Sequence, residues 1–415
     1  MFVLSAVMLA SFSIVYSQSA SPREEKLLNG LKLLMFDAPS ADKVTLKVRI
    51  HAGSAFDPQG KEGLMKLLAA NVFPNPEAKE YFADQLGGGL DVTSNYDYIQ
   101  INATSRPDKL ISMIETVAAA IVNMENDKET TAKLKASQLQ KVNELATDPS
   151  YVADQAAAAR LLGAFPYGRP SDGTAVSIGN IDFADLLAAK QRFFTADNAT
   201  VAISGKFDQT EAFRAVRRYF GAWLKADKLV PSTFRQPDDP PMGVQMIESP
   251  LADKFEVRFI TRGTSRSSND FAAYAIAARI LESRLTSAVP AAAPGSVTAE
   301  SADHVLPGTL VVRISGARAA FGGKTDTTDN WTKAFSTPVS DAEFQSAKQA
   351  VIARLDKEDI VDRWLDVGTF KTEPSAKFYA RASATSLSDV QTVFSRIQRQ
   401  PVASVIVASA AKASN

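Results

Sequence analysis

The sequence predicts an α+β fold made of two homologous α/β sandwich domains, and three observations predict it. The first is an internal repeat: "GLKLLMFDAPSADKVTLKVRIHAGS" begins at Gly30 and "GVQMIESPLADKFEVRFITRGT" at Gly243. Both run from a glycine through a short apolar strand and a turn to Ala-Asp-Lys, then through an alternating strand to a glycine and a hydroxyl residue. Ala41 matches Ala252 and Gly53 matches Gly263, an offset of about 210 residues, half the chain. The second is that strands and helices are mixed without strict alternation, which favours sandwiches over a doubly wound parallel sheet. The third is "VPSTFRQPDDPPMG", from Val230, whose four prolines deny helix and sheet and mark an extended linker. The expected domains are residues 22–228 and 242–412, joined by a linker at 229–241.

The elements follow in chain order. "KVTLKVRIHAG" and "KFEVRFITRG" carry apolar residues at every second position, the mark of half-buried strands. Helical segments follow them, at 63–73 in the first half and 269–285 in the second. After the glycine turn at Gly87, Gly88 and Gly89, residues 91–103 read as one strand. Helical periodicity covers 108–124, 128–146 and the alanine-rich 151–162, and "ATVAISGKF" from Ala199 is a strand closed by Gly205. In the second half, strands are expected around 308–315, helices over 341–357 and 374–387, and a last strand over 402–409.

The chain has 415 residues, and its hydrophobic content of 45% with 22% charged residues is that of an ordinary globular protein. Forty-six basic and forty-six acidic residues cancel, so nothing global draws the chain to nucleic acid, and no nucleic-acid module is visible. There is no cysteine, which removes thiol catalysis, disulfides and cysteine-bound metals. The two histidines, His51 and His304, lie far apart in sequence and each lacks a second ligand nearby, so both read as structural or surface residues. No G-x-S-x-G elbow and no phosphate-binding G-x-x-x-x-G-K-[ST] loop is present. No charged side chain precedes Arg23, and the apolar stretch 2–16 is shorter than the ~20 residues of a membrane span. Ser17, Ser19 and Ala20 follow it, as at a signal-peptidase site. Residues 1–20 therefore read as a cleaved export signal, with an uncleaved anchor as the alternative. The expected location is the periplasm or the extracellular space, with no strong membrane association once the signal is removed.

The order and spacing of several stretches resemble those of the insulinase/pitrilysin-type zinc metallopeptidases, in the short two-domain form of mitochondrial processing peptidase subunits. The stretches are "NGLKLLMFDAPSADKVTLKVRIHAGSAFDPQGKEGL" from Asn29, "GGGLDVTSNYDYI", "FPYGRPSDGT" from Phe165, "ISGKF" and "ESRL". The resemblance implies one half of a clamshell and a helix that opens Gly-Leu and carries H-x-x-E-H. Two imidazoles at i and i+4 share a helix face and bind zinc, and the carboxylate between them polarises the metal-bound water. In "KEGLMKLLAANVF" those three positions are Lys66, Ala69 and Ala70. Alanine has no lone pair and a lysine ammonium repels a divalent cation, so no zinc or other cofactor is expected here. The family's distal ligand maps best to Glu144, either a relic ligand or a solvated helix residue, and a Lys66–Glu144 ion pair is the arrangement a lost metal suggests. The family's substrate-holding arginine and tyrosine fall near Pro290 and Val297, neither of them usable.

The resemblance thus implies a catalytically inactive homologue. Its expected role is that of the non-catalytic subunit of a heterodimeric peptidase, paired with a homologous subunit that carries H-x-x-E-H. The alternative is a stand-alone binding module for extended peptides, with Asp91, Val92, Thr93 and Ser94 offering a strand to pair with. A hydrolase with a relocated site is the third reading.

Overall fold

Two mixed sheets organise this computed structural model, which describes residues 21–124, 127–226, 234–235, 237–249, 251, 254–289, 296–317 and 328–409. The first half runs β1 (Arg23–Lys26), β2 (Lys32–Asp37), β3 (Val44–Ile50), α1 (Leu64–Ala70), α2 (Glu77–Asp84), β4 (Gly89–Ser94), β5 (Ile99–Ser105), α3 (Leu110–Val122), α4 (Lys128–Leu145), α5 (Pro149–Leu162), α6 (Ala175–Gly179), α7 (Phe183–Phe193), β6 (Ala199–Gly205) and α8 (Gln209–Phe220). The second runs β7 (Val244–Glu248), β8 (Lys254–Arg262), α9 (Phe271–Ala288), β9 (Val297–Ala302), β10 (Thr309–Ala317), α10 (Thr328–Ala334), α11 (Asp341–Asp356), α12 (Ile360–Phe370), α13 (Ser375–Ala384), α14 (Leu387–Arg399) and β11 (Ala403–Ala408).

The repeat seen in the sequence is a repeat of topology. The first sheet has the order β1-β2-β6-β3-β5-β4 and the second β7-β11-β8-β10-β9. β2 pairs with β6 in parallel as β7 does with β11, and every other equivalent pair is antiparallel. Among the described residues β1 has no counterpart. Gly30 and Gly243, the two repeat openers, both have positive φ, at 90° and 80°, a conformation glycine adopts without the steric cost a side chain would add.

Each sheet packs helices on one face. Val44, Leu46, Val48 and Ile50 of β3 meet α1, α3, α7 and α8 in one core, and Phe255, Val257 and Phe259 of β8 meet α9, α11 and α14 in another. The opposite faces were expected to be wet, because alternation reads as half-burial. Instead, each is covered by a helix lent from the other half. Ala153, Ala157 and Leu161 of α5 pack on Ile260, Val405 and Val407 of the second sheet, and Val361 and Leu365 of α12 pack on Leu34, Phe36 and Ala202 of the first.

Other expectations change in detail. Residues 91–103 are not one strand: β4 and β5 form a hairpin, because Asn95 Oδ1 accepts N–H bonds from Asp97 and Tyr98 and turns the chain. The helix expected at 374–387 is α13, and a further helix not expected from the sequence, α14, is started afresh by a capping box between Ser386 and Asp389. Residues 1–20, 229–233 and 236 of the expected linker, and 290–295, with Pro290, lie outside the described residues. No helix among the described residues is long and apolar enough to cross a membrane.

Candidate functional site

α1 is started by a buried carboxylate. Asp57 accepts N–H bonds from Gly63 and Met65, each at 2.8 Å, satisfying donors that a helix N-terminus leaves free. Burial pushes Asp57 up to about 7, against those two hydrogen bonds and the neighbouring Arg169, which pull it down. Gly63 has φ +94°, and a Cβ there would stand 2.9 Å from the carbonyl oxygen of Asp172. The loop at 170–174 is therefore seated directly on the helix start, and Gln138 of α4 pins it by donating to the Asp172 carbonyl at 2.8 Å.

This seating decides what meets Lys66. Its ammonium lies 3.5 Å from the Asp172 carboxylate, and Lys141 of α4 lies 3.9 Å from the same oxygen. The expected Lys66–Glu144 pair is not formed. Glu144 is exposed and accepts a hydrogen bond from Gln140 of its own helix at 2.9 Å. The reason is register: α4 presents Lys141, one turn earlier, toward the loop. Ala69 is buried in the first core, and Ala70 is exposed in the last turn of α1, which is capped at Asn71. An ammonium, two methyl groups and a carboxylate already bonded elsewhere do not fit a zinc ion. Among the described residues no three His, Asp or Glu side chains are grouped to hold a metal.

Asp91, Val92, Thr93 and Ser94 lie together on β4, at the edge of the first sheet, paired to Asn102, Ile101, Gln100 and Ile99 of β5. α1 and α2 pack against this strand. Val297 is buried at the start of β9.

Both histidines join the two halves. His51 is half-buried, with its ring nitrogens 3.0 Å and 2.9 Å from the hydroxyls of Thr369 on α12 and Thr200 on β6. Burial, with Lys371, Arg49 and Lys32 nearby, pushes it down to about 3, so the ring is neutral. His304 contacts Asp97 at 2.6 Å and stacks on Tyr167 at 4.2 Å, while the Tyr167 hydroxyl donates to the other Asp97 oxygen. Sequence gave no signal for this cluster, whose members come from three separate segments.

Two sheets of equivalent strand order, each backed by helices, define a duplicated α/β sandwich. The chain belongs to peptidase family M16: residues 32–174 match its insulinase domain, Insulinase (Peptidase family M16), and residues 180–351 match the Peptidase M16 inactive domain. An uncharacterized zinc protease of Rickettsia bellii is 21% identical over 209 residues, 49% of this chain and 50% of that protein. The chain thus matches about half the length of such curated relatives. The crystal structure of a peptidase M16 inactive domain from Pseudomonas fluorescens superposes with a TM-score of 0.83 at 19% identity, covering 94% of this chain and 98% of that one. The periplasmic protease PqqL from Escherichia coli gives 0.73 at 13% identity, covering 94% of this chain but 48% of its own. At such identities these structures share the fold.

Proposed function

We propose that this chain is a catalytically inactive, exported M16 homologue that forms one half of a peptide-enclosing chamber, while a separate homologous subunit with H-x-x-E-H supplies the zinc and the base. The observation that carries this reading is α1. The helix stands in its place on the sheet, capped by Asp57, yet its outward positions offer Lys66 and Ala70, and Ala69 is buried. Neither a metal-bound water nor a base to polarise it can be assembled from these groups. The E. coli periplasmic protease supports the pairing by length, since this chain covers 48% of it and a second half of similar size remains. Its location also agrees with the reading of residues 1–20 as an export signal.

The test is co-expression with a homologous H-x-x-E-H chain, followed by size-exclusion chromatography and a peptide-cleavage assay. The expected result is co-elution as a heterodimer, with zinc in the partner and cleavage raised by the pair. Two separate monomer peaks and unchanged cleavage overturn it. A second reading, a stand-alone peptide-binding module, draws on the edge position of β4, where an extended peptide can add a strand. A monomer that binds unfolded peptides without a partner selects it. Zinc content and cleavage by the isolated chain separate both from a hydrolase with a relocated site.

A further inference from the structure

We propose that the exposed face of α1 is a carboxylate-binding subsite, in which Lys66 and Lys141 receive a carboxylate of a peptide lying along β4. The proposal rests on the reading that β4 takes up extended peptides. It stands on an imbalance of charge. Around α1, Lys61 is paired with Asp185 at 2.5 Å, Glu62 lies 3.6 Å from Arg169, and the buried Asp57 carboxylate is taken up by the N–H groups of Gly63 and Met65. Glu144 faces its own helix and bonds Gln140. Lys66 and Lys141, by contrast, share the single carboxylate of Asp172. Two ammonium groups on one carboxylate leave one positive charge unbalanced, and both side chains keep solvent access, at 30% and 52% exposure.

The geometry suits a second carboxylate. Asp172 is held in place through its backbone by Gln138 and by the seating of the loop on Gly63, so the charge that organises the two lysines is fixed. Tyr151 of α5 lies near the same carboxylate; burial first, and Asp172 second, push its phenol up to about 12. A ligand carboxylate between the ammonium groups completes an array of two cations and two anions. Because α1 packs on β4, a strand added at that edge runs past this array. The peptide backbone is then held by the sheet and one carboxylate by the lysines. That carboxylate is either an acidic side chain or the peptide's own C-terminus.

The experiment measures fluorescence anisotropy of labelled peptides with the full chain. The peptides form a matched set, with Glu or Gln at one central position and the C-terminus free or amidated. Exposed charge pairs are individually weak, so the expected preference for carboxylate peptides is about five- to tenfold at low salt, fading as salt screens it. The double variant Lys66→Met, Lys141→Met abolishes the preference, read as the ratio of carboxylate-peptide to neutral-peptide affinity within that variant; circular dichroism confirms that it is folded. Loss of affinity on Glu→Gln assigns the subsite to a side chain, and loss on amidation assigns it to the C-terminus. Equal binding of all four peptides, or a preference that survives the double variant, overturns the subsite and leaves the β4 reading standing. Binding of none overturns both.

Discussion

Among the described residues Arg49 and Arg258 are the largest fully buried side chains, and each is matched from the other half. Arg49 donates to Gln100 at 2.6 Å, to Asp366 at 2.6 Å and to Asp362 at 3.2 Å, with its guanidinium 4.0 Å over the Tyr98 ring. Arg258 bonds Asp154 and the Ser150 hydroxyl of α5, and Glu256 of its own strand. Removing one partner of a buried ion pair leaves the other charge without compensation, so Arg49→Met is expected to lower stability by about 3–5 kcal/mol, read from urea unfolding. His51 makes the complementary prediction in pH. Its folded pKa is depressed to about 3, so its contribution is present above the unfolded value near 6.5 and is lost as pH falls toward 3. The stability advantage of the wild type over His51→Gln should shrink by about 1.4 kcal/mol for each pH unit below 6.5; an advantage independent of pH would show that the ring is charged or exposed. The sequence showed Lys47 and Arg49 as the polar side of an alternating strand. It had no means of showing that Asp359, Asp362 and Asp366, more than three hundred residues later, would meet them.

At the scale of elements, α1 depends on one carboxylate and one glycine. The folded pKa of Asp57 is raised, so its favourable contribution is complete below the unfolded value near 4 and is lost as pH rises through about 7. Relative to Asp57→Asn, the wild type is expected to lose up to about 4 kcal/mol between pH 4 and pH 8, and denaturant midpoints at the two extremes measure it. A constant difference would mean that Asp57 is solvated. Gly63→Ala combines positive φ with a clash at the Asp172 carbonyl and should cost about 1–3 kcal/mol. This helix was legible, since a Gly-Leu opening and an apolar run sufficed to place it. Its surroundings were not. Asp172 sits in "SDGT", a turn sequence whose landing point on α1 is fixed by close backbone approach, which leaves no mark on the local pattern. The hairpin of β4 and β5 was hidden in the same way, because Asn95 turns the chain within a stretch that alternates on both sides.

At the scale of the molecule, the duplication was the most legible feature, because a repeated order of strands repeats its hydrophobic period. What periodicity concealed was the exchange between halves. α12 is eleven residues long and α5 buries an alanine-rich stripe, and neither announces that its sheet is the distant one. The expected behaviour is a single cooperative unfolding transition in calorimetry; two separated transitions would mean that the halves fold alone. Cleavage between residues 226 and 234 should leave both fragments associated on a sizing column, since each retains a helix that the other's sheet requires.

The two lent helices also fix how this chain can move. A clamshell needs a place to bend, and α5 and α12, fastened at Arg258 and Arg49, cross the one seam inside the chain where bending would otherwise occur. In the proposed chamber this chain would therefore act as one rigid half, because its own two sheets are tied across their seam.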